Sequence, residues 1–374
     1  MKNIIKKALF LIRSTLFKND TQVRTIILVS SLDNQSVVDN VKMRLRFFDQ
    51  DIKIDQKHSL SLADKFNYKL IICVGYKVSR LVGKIKYGSI FNLDYNDNYL
   101  DGWDYHKLLA KMEEKERIAN RINIRSKLAD IKSNLQTQFD KTYILGTGPS
   151  LEKAIDRDWS DGIRIVSNTI VKDKELWNHI NPHFIVAGDA IYHYGNSEFA
   201  KSFRRDLAKR LEETETYFLF QEYYWPFLKK VFPEFHDRML PIPVGETITF
   251  NNLIEDRFEL PDVGNVLNSL LLPLSSYLSN HIHLWGFDGR SPDDKLFWKN
   301  SDKHFYNDLV PELQKLHPAF FDTLVPKDNP EKYVLSAHGD SLDLMLIDAE
   351  SSGKTFEMMH PSYTKTLMKR YKPL

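Results

Sequence analysis

The chain has 374 residues, enough for about 2.5 domains of ordinary size, and its 42% hydrophobic and 27% charged content excludes wholesale disorder. Its 52 basic and 50 acidic residues leave a net charge of only +2, so no general field for nucleic acid exists and none is expected as a partner. A single cysteine, Cys73, excludes an internal disulfide and a cysteine-rich zinc site, and no apolar run reaches the roughly 18 residues that span a bilayer.

In residues 1–20, Lys2, Lys6, Lys7, Arg13 and Lys18 meet no acid before position 20. Ile5, Leu9, Ile12 and Leu16 can share one helical side, with Lys2, Lys6 and Arg13 on another. Such a basic amphipathic helix can lie on an anionic membrane; the competing reading is a helix docked on the protein's own core. There is no small-residue cleavage site, so a secretory signal is not expected. The C-terminal stretch 365–374 is also basic. The two ends together point to membrane association, and the single cysteine fits a reducing compartment, so the expected place is the cytoplasm, with peripheral contact to the inner face of the cytoplasmic membrane through residues 1–19 and 365–374.

Residues 21–100 read as a small α/β domain. Strands are expected at Thr25–Ser31, Ile52–Asp55, Lys69–Gly75 and Ser89–Tyr95, with helical patterns between them, as parallel βαβ winding requires. The unit has no obvious phosphate loop. Residues 101–140 read as a helical linker. The stretch 104–138 lacks Gly and Pro, and the run from Glu113 to Arg117 predicts a solvated helix bridging two α/β units.

Residues 141–374 read as a second, larger α/β unit. Strands are expected at Tyr143–Leu145, up to Asn168, up to Asp189, at Tyr217–Phe220 and at Ile282–Trp285. Helices are expected at Leu151–Asp158, from about Ser197 to Glu212 and at Gly264–Leu278. The fold class is therefore α/β, with two Rossmann-like units and a parallel sheet in the C-terminal one. Four strands run out into Gly146/Thr147, Asn168, Gly188/Asp189 and Gly286/Asp288. In an open parallel sheet, ligands bind outside the carboxyl ends of the strands.

Gly146-Thr147-Gly148-Pro149-Ser150 is the sharpest motif. Glycines let backbone approach a ligand, Pro149 presets a first helical turn, and N–H groups there can receive a phosphate. It is neither a Walker loop nor Gly-x-Gly-x-x-Gly, since position 151 is Leu. A tight strand–helix turn is the plain competitor. The Asp-x-Asp pairs Asp156/Asp158 and Asp49/Asp51 are weak metal signatures, so the expected site needs no metal and no resident cofactor. His304 and His338 lie in loops beyond the last expected strand ends, where an imidazole suits a general base; a capping or surface role competes for each. Tyr223-Tyr224-Trp225-Pro226-Phe227 either lines an acceptor groove or packs into the core.

Lys141 to Met359 resembles the bacterial CMP-sialic-acid-dependent sialyltransferases of glycosyltransferase family 42, and the related MptE-like and motility-accessory-factor proteins. Four blocks carry the likeness: Leu145 to Leu151, Ser167-Asn168, Leu284-Trp285-Gly286-Phe287-Asp288, and Ala337-His338-Gly339-Asp340 leading into a helix and the strand Thr355–Met359. The resemblance implies a nucleotide-sugar-binding domain in which Gly146, Thr147, Gly148, Pro149 and Ser150 approach the nucleotide and its phosphate. Asn168 matches an asparagine near the donor, and Gly264-Asn265 falls near a block that touches the nucleotide. His338 matches the family's base. Thr147 stands where the sialyltransferases have Asn, and Arg290 where they place a phosphate-binding Tyr; their second such Tyr has no clear partner here, with Trp298 and Tyr306 nearby.

This implies a metal-independent, inverting glycosyltransferase of surface polysaccharide or lipopolysaccharide synthesis. It would move a sialic acid-like or Kdo-like sugar from a CMP-activated donor to a glycan or glycolipid acceptor. Arg290 or Tyr306 would stabilise the departing phosphate. Two alternatives stand beside it: an MptE-like pterin diphosphokinase using ATP and Mg²⁺, and a non-catalytic glycan- or nucleotide-binding envelope-assembly protein.

Overall fold

The computed structural model describes residues 25–30, 35–61, 70–74, 89–93, 102–291, 301–317, 320–321 and 340–373. The chain divides into two compact units, 1–100 and 101–374.

In the first unit, β1 (Thr25–Ser30), α1 (Gln35–Phe48), β2 (Lys53–Lys57), β3 (Leu70–Val74) and β4 (Ser89–Leu93) follow in order. The strands form a parallel sheet in the order β2-β1-β3-β4. α1 buries Val38, Val41, Leu45 and Phe48, an i, i+3, i+7, i+10 stripe that gives a short helix one apolar face. Cys73 is buried, and its thiol is pushed up to about 11 by that burial, which keeps it an unreactive thiol near neutrality.

The second unit opens with α2 (Trp103–Met112) and α3 (Glu114–Gln136). The expected bridging helix is thus two helices, and both belong to the second unit. The reason is a stripe hidden among the charges: Ile124, Leu128, Ile131 and Leu135 are buried in one cluster with Ile144, Ile163, Leu219 and Leu240 of the sheet. Ile118 and Ile122 remain exposed on α3, so part of the expected solvated surface exists.

The large sheet comprises β5 (Lys141–Leu145), β6 (Ile163–Ser167), β7 (Phe184–Val186), β8 (Tyr217–Gln221), β9 (Met239–Ile242), β10 (His281–Trp285) and β11 (Thr355–Met358). Its order is β11-β10-β5-β6-β7-β8-β9, and every pairing is parallel. β6, β7 and β9 are buried along their whole length; β7 and β9 are accordingly apolar runs, and β6 admits Arg164 because its guanidinium donates to the Asn181 and Gly162 carbonyls. The arrangement is Rossmann-like. The chain steps from β5 outwards to β9, then returns to place β10 on the other side of β5. The strand order therefore reverses between β5 and β10, the switch point at which such sheets usually open a ligand crevice.

Three local expectations differ from the structure. The segment expected as a helix at Leu151–Asp158 is a 3₁₀ helix at Pro149–Asp156, begun by its proline. The helix expected from Gly264 starts later, as a π turn at Leu267–Leu271. Asn265 before it adopts a left-handed φ of 58°, and its side chain accepts the Asn268 N–H. The cluster 223–227 packs inward: Tyr224, Trp225 and Phe227 are buried, so it is core rather than an acceptor groove.

At the C-terminus, Arg370 makes a bidentate pair with Glu350 at 2.6 and 2.7 Å. Lys369 lies 3.8 Å from Asp343. Half the basic charge of this segment is therefore paired with the protein itself, leaving Lys365 and Lys372 facing outwards. Residues 1–19 lie outside the described residues. Among the described residues, no helix is long and apolar enough to cross a membrane.

Candidate functional site

Among the described residues, Gly146 to Ser150, Asn168, Gly188, Asp189, Gly286 and Asp288 follow the carboxyl ends of strands of the large sheet, and that edge has two unlike halves.

The first half is the switch point between β5 and β10. The Gly146 N–H donates to the Trp285 carbonyl at 2.8 Å, and the Gly148 N–H to the Gly286 carbonyl at 2.9 Å. The Ser150 N–H meets both Asp288 carboxylate oxygens at 3.1 and 3.2 Å, and Ser150 Oγ lies 2.8 Å from Asp288 Oδ2. The three N–H groups expected to receive a phosphate are thus held by the loop after β10. The glycine at 148 is explained by that contact: a Cβ there would fall 2.2 Å from Asp288 Oδ2.

His360, just past β11, fastens the same place. Its Nε2 accepts the Gly286 N–H at 3.0 Å and lies 2.8 Å from Ser150 Oγ. Its Nδ1 lies 2.8 Å from the Pro361 carbonyl, which fixes the neutral tautomer with the proton on Nδ1. Burial depresses its pKa, against the opposing pull of Asp288. The ring packs edge-on to Trp285 at 4.9 Å, and the Arg157 guanidinium covers Trp285 from 4.4 Å. Sequence reasoning missed His360, because nothing in Met358-Met359-His360-Pro361 marks it.

The second half comprises the ends of β6, β7 and β8, and at β6 and β8 buried polar oxygens stand without a partner in the protein. Asn168, at the end of β6, holds a left-handed φ of 53°, and its Oδ1 is buried without a hydrogen-bond partner. Thr169 Oγ1 and Gln221 Oε1 share that condition. Past β7, Asp189 caps the short helix α4 (Ala190–Tyr194), its Oδ1 accepting the N–H groups of Ile191 and Tyr192. Burial pushes its carboxyl up to about 6 despite those two hydrogen bonds. Gly188 precedes it, its carbonyl accepting the Tyr224 hydroxyl at 2.7 Å. Gln221 escaped the sequence reading because the expected strand stopped one residue early, at Phe220. The signal was there: an apolar run ending in a polar amide, as at Asn168.

His304 is fully buried and neither ring nitrogen has a satisfying hydrogen-bond partner. Burial lowers its pKa, opposed by the charges of Asp173 and Glu152 and by the nearby Thr147 backbone. Lys172 Nζ clamps the segment by donating to the carbonyls of Asp302 at 2.6 Å and Phe305 at 2.7 Å. His304 is therefore brought to the Thr147 turn.

Tyr306 is not presented as a free donor. It is buried, and its hydroxyl donates to Asp206 Oδ2 at 2.7 Å, on the helix α5 (Glu198–Glu213). Burial and that carboxylate hold its pKa far above the ordinary range. Arg290 is half-buried, two residues beyond Asp288. Gly264 is exposed, and Asn265 serves as a helix cap. His338 lies outside the described residues.

Beside Gln221, Glu222 is buried and fully paired. It takes the Arg117 guanidinium and a bidentate pair of 2.7 Å hydrogen bonds from Arg121, tying α3 to the end of β8. A cleft of about 420 Å³ opens at the opposite, amino edge, lined by Lys141, His281, His283 and Glu357 among others. Its charges are mixed and none of the candidate residues line it.

No family model, no curated protein and no solved structure matches the chain.

Proposed function

We propose that the chain is a glycosyltransferase that moves a sialic acid-like or Kdo-like sugar from a CMP-activated donor to a glycan or glycolipid acceptor. The donor would lie along the carboxyl edge of the large sheet. What supports this is one observation: three buried oxygens at the ends of β6 and β8, on Asn168, Thr169 and Gln221, have no hydrogen-bond partner in the protein. Buried polar groups left unsatisfied in a folded chain call for water or a ligand to complete them.

The reaction forms a bond from an acceptor oxygen to the anomeric carbon and breaks the bond from that carbon to the phosphate oxygen. The electron pair leaves with CMP, and the acceptor proton passes to the base that the resemblance assigns to His338. Displacement from the opposite face inverts the anomeric centre. Negative charge grows on the leaving phosphate. The resemblance assigns it to Arg290, and a preorganised donor of this kind is typically worth about 3 kcal/mol. The N–H groups of Gly146, Gly148 and Ser150 have no part in this, because Trp285, Gly286 and Asp288 already hold them. Sugar transfer to a lipid acceptor suits a cytoplasmic protein resting on the inner membrane face.

A thermal-shift screen with CMP, CDP, UDP and ATP tests the donor class, since a ligand that binds the folded form raises apparent stability. Preferential stabilisation by CMP is expected, followed by CMP release from CMP-sialic acid or CMP-Kdo with acceptor present. Preference for ATP with Mg²⁺ would instead favour the pterin diphosphokinase. No shift with any of the four and no CMP release would defeat the reading.

A further inference from the structure

Gln221 ends β8 with its side chain 6% exposed and its Oε1 buried without a partner. Val186 of β7 pairs with Leu219 of β8, so two residues further on Gly188 stands beside Gln221. A Cβ on Gly188 would fall 2.8 Å from Gln221 Nε2 and 3.1 Å from Oε1. A methyl at 188 would therefore press on the carboxamide and on Leu270, and the amide would have to shift to make room. The neighbouring strand ends supply more acceptors: Asn168 Oδ1 and the Asp189 carboxyl.

A concentration of acceptors has a definite chemical meaning. It disfavours a phosphate, which at neutral pH offers chiefly acceptors and negative charge, and it favours O–H and N–H groups. A sugar with several hydroxyls or an acylamino group carries such donors. We propose that Gln221 is a specificity-determining residue that accepts a hydrogen bond from a hydroxyl or amide N–H on the sugar part of the donor. This deepens the glycosyltransferase reading and rests on it. The phosphate and the base of the nucleotide would then lie elsewhere along the edge.

The residue is also a liability in the free protein. An acceptor buried without a donor from the protein costs desolvation that the fold itself does not return, so an apolar side chain of similar shape relieves it. Ligand recognition and stability therefore pull in opposite directions at this position, as they do at many binding sites.

The test uses the full-length protein with Gln221→Met, close to isosteric, and Gln221→Ala, which adds no bulk. The first measurement is the melting temperature without ligand. Gln221→Met is expected to rise by about 2–4 °C. A lower melting temperature for Gln221→Met overturns the unpartnered acceptor. The second is calorimetric binding of CMP-N-acetylneuraminic acid and of CMP alone. Both variants are expected to lose about tenfold in affinity for the sugar nucleotide while CMP stays within about twofold. Equal losses for the two ligands, or none, overturn the sugar assignment; the latter is also what a carboxamide satisfied only by water would give. Failure of the parent reading looks different: the unmodified protein then binds neither ligand, and the melting arm decides alone whether the Gln221 oxygen is unpartnered.

Discussion

The two halves of the carboxyl edge differ in how their polar groups are matched. At the β5–β10 junction, backbone N–H groups, Asp288, Ser150 and His360 satisfy one another, so the donors expected to face a ligand at a topological switch point are taken by the adjacent loops. At the ends of β6 and β8, acceptors remain without donors, and between them, past β7, a carboxyl is strained upwards in pKa. A glycine-rich turn at a strand end is thus no guarantee of an open anion site. The loop on the adjacent strand can take the donors first.

The sharpest contrast lies between two consecutive residues. Glu222 is fully paired with Arg117 and Arg121, whereas Gln221 is left unsatisfied. Glu222→Ala should therefore cost about 3–5 kcal/mol in urea unfolding, because it leaves two guanidinium groups, one of them largely buried, without their carboxylate. A loss under about 1 kcal/mol would place this pair among ordinary surface bridges and blunt the comparison.

Asp189 gives the next effect, with a definite sign. Its folded pKa is raised from 3.8 to about 6, so the unfolded chain releases the proton first as pH rises. Stability at this position is full below pH 3.8, falls as pH rises towards 6, and stays reduced above that. Asp189→Asn keeps an oxygen for the helix cap and removes the charge. It should gain up to about 3 kcal/mol at pH 8 and nothing at pH 3.5, read from denaturant midpoints at the two pH values. A gain independent of pH would show that the carboxyl is not the source of strain.

The smallest effect probes the closed half. Gly148→Ala drives a methyl into Asp288 and the Gly286 carbonyl. It should cost about 1–3 kcal/mol by overpacking. A tolerated alanine would mean that the two loops separate readily, returning the 146–150 turn to the list of ligand contacts.

Much of the second unit was legible in the chain. β7 appears as a short apolar run because a strand covered on both faces is apolar, β6 reads the same apart from Arg164, and β10 alternates His281 and His283 with buried Ile282 and Leu284; their ends at Asn168, Asp189 and Gly286 show where polarity returns. α3 was harder. Its four buried residues are diluted by lysines, arginines and glutamates, so the stripe that assigns it to the second unit is faint beside the charge. Gln221 was missed by one residue, and His360 by lacking any pattern at all.

What the amino-acid order determined is local: where the strands run, which helices carry an apolar stripe, and where polar residues return at strand ends. Periodicity and burial act over a few neighbouring residues, so they can be read directly. The partners at the edge were decided only by the tertiary structure. Ser150 and Asp288 stand 138 positions apart, and Ser150 and His360 stand 210 apart. They meet because β10 returns to lie against β5 and β11 against β10. The same strand order leaves the oxygens of Asn168 and Gln221 on strands that no such loop satisfies.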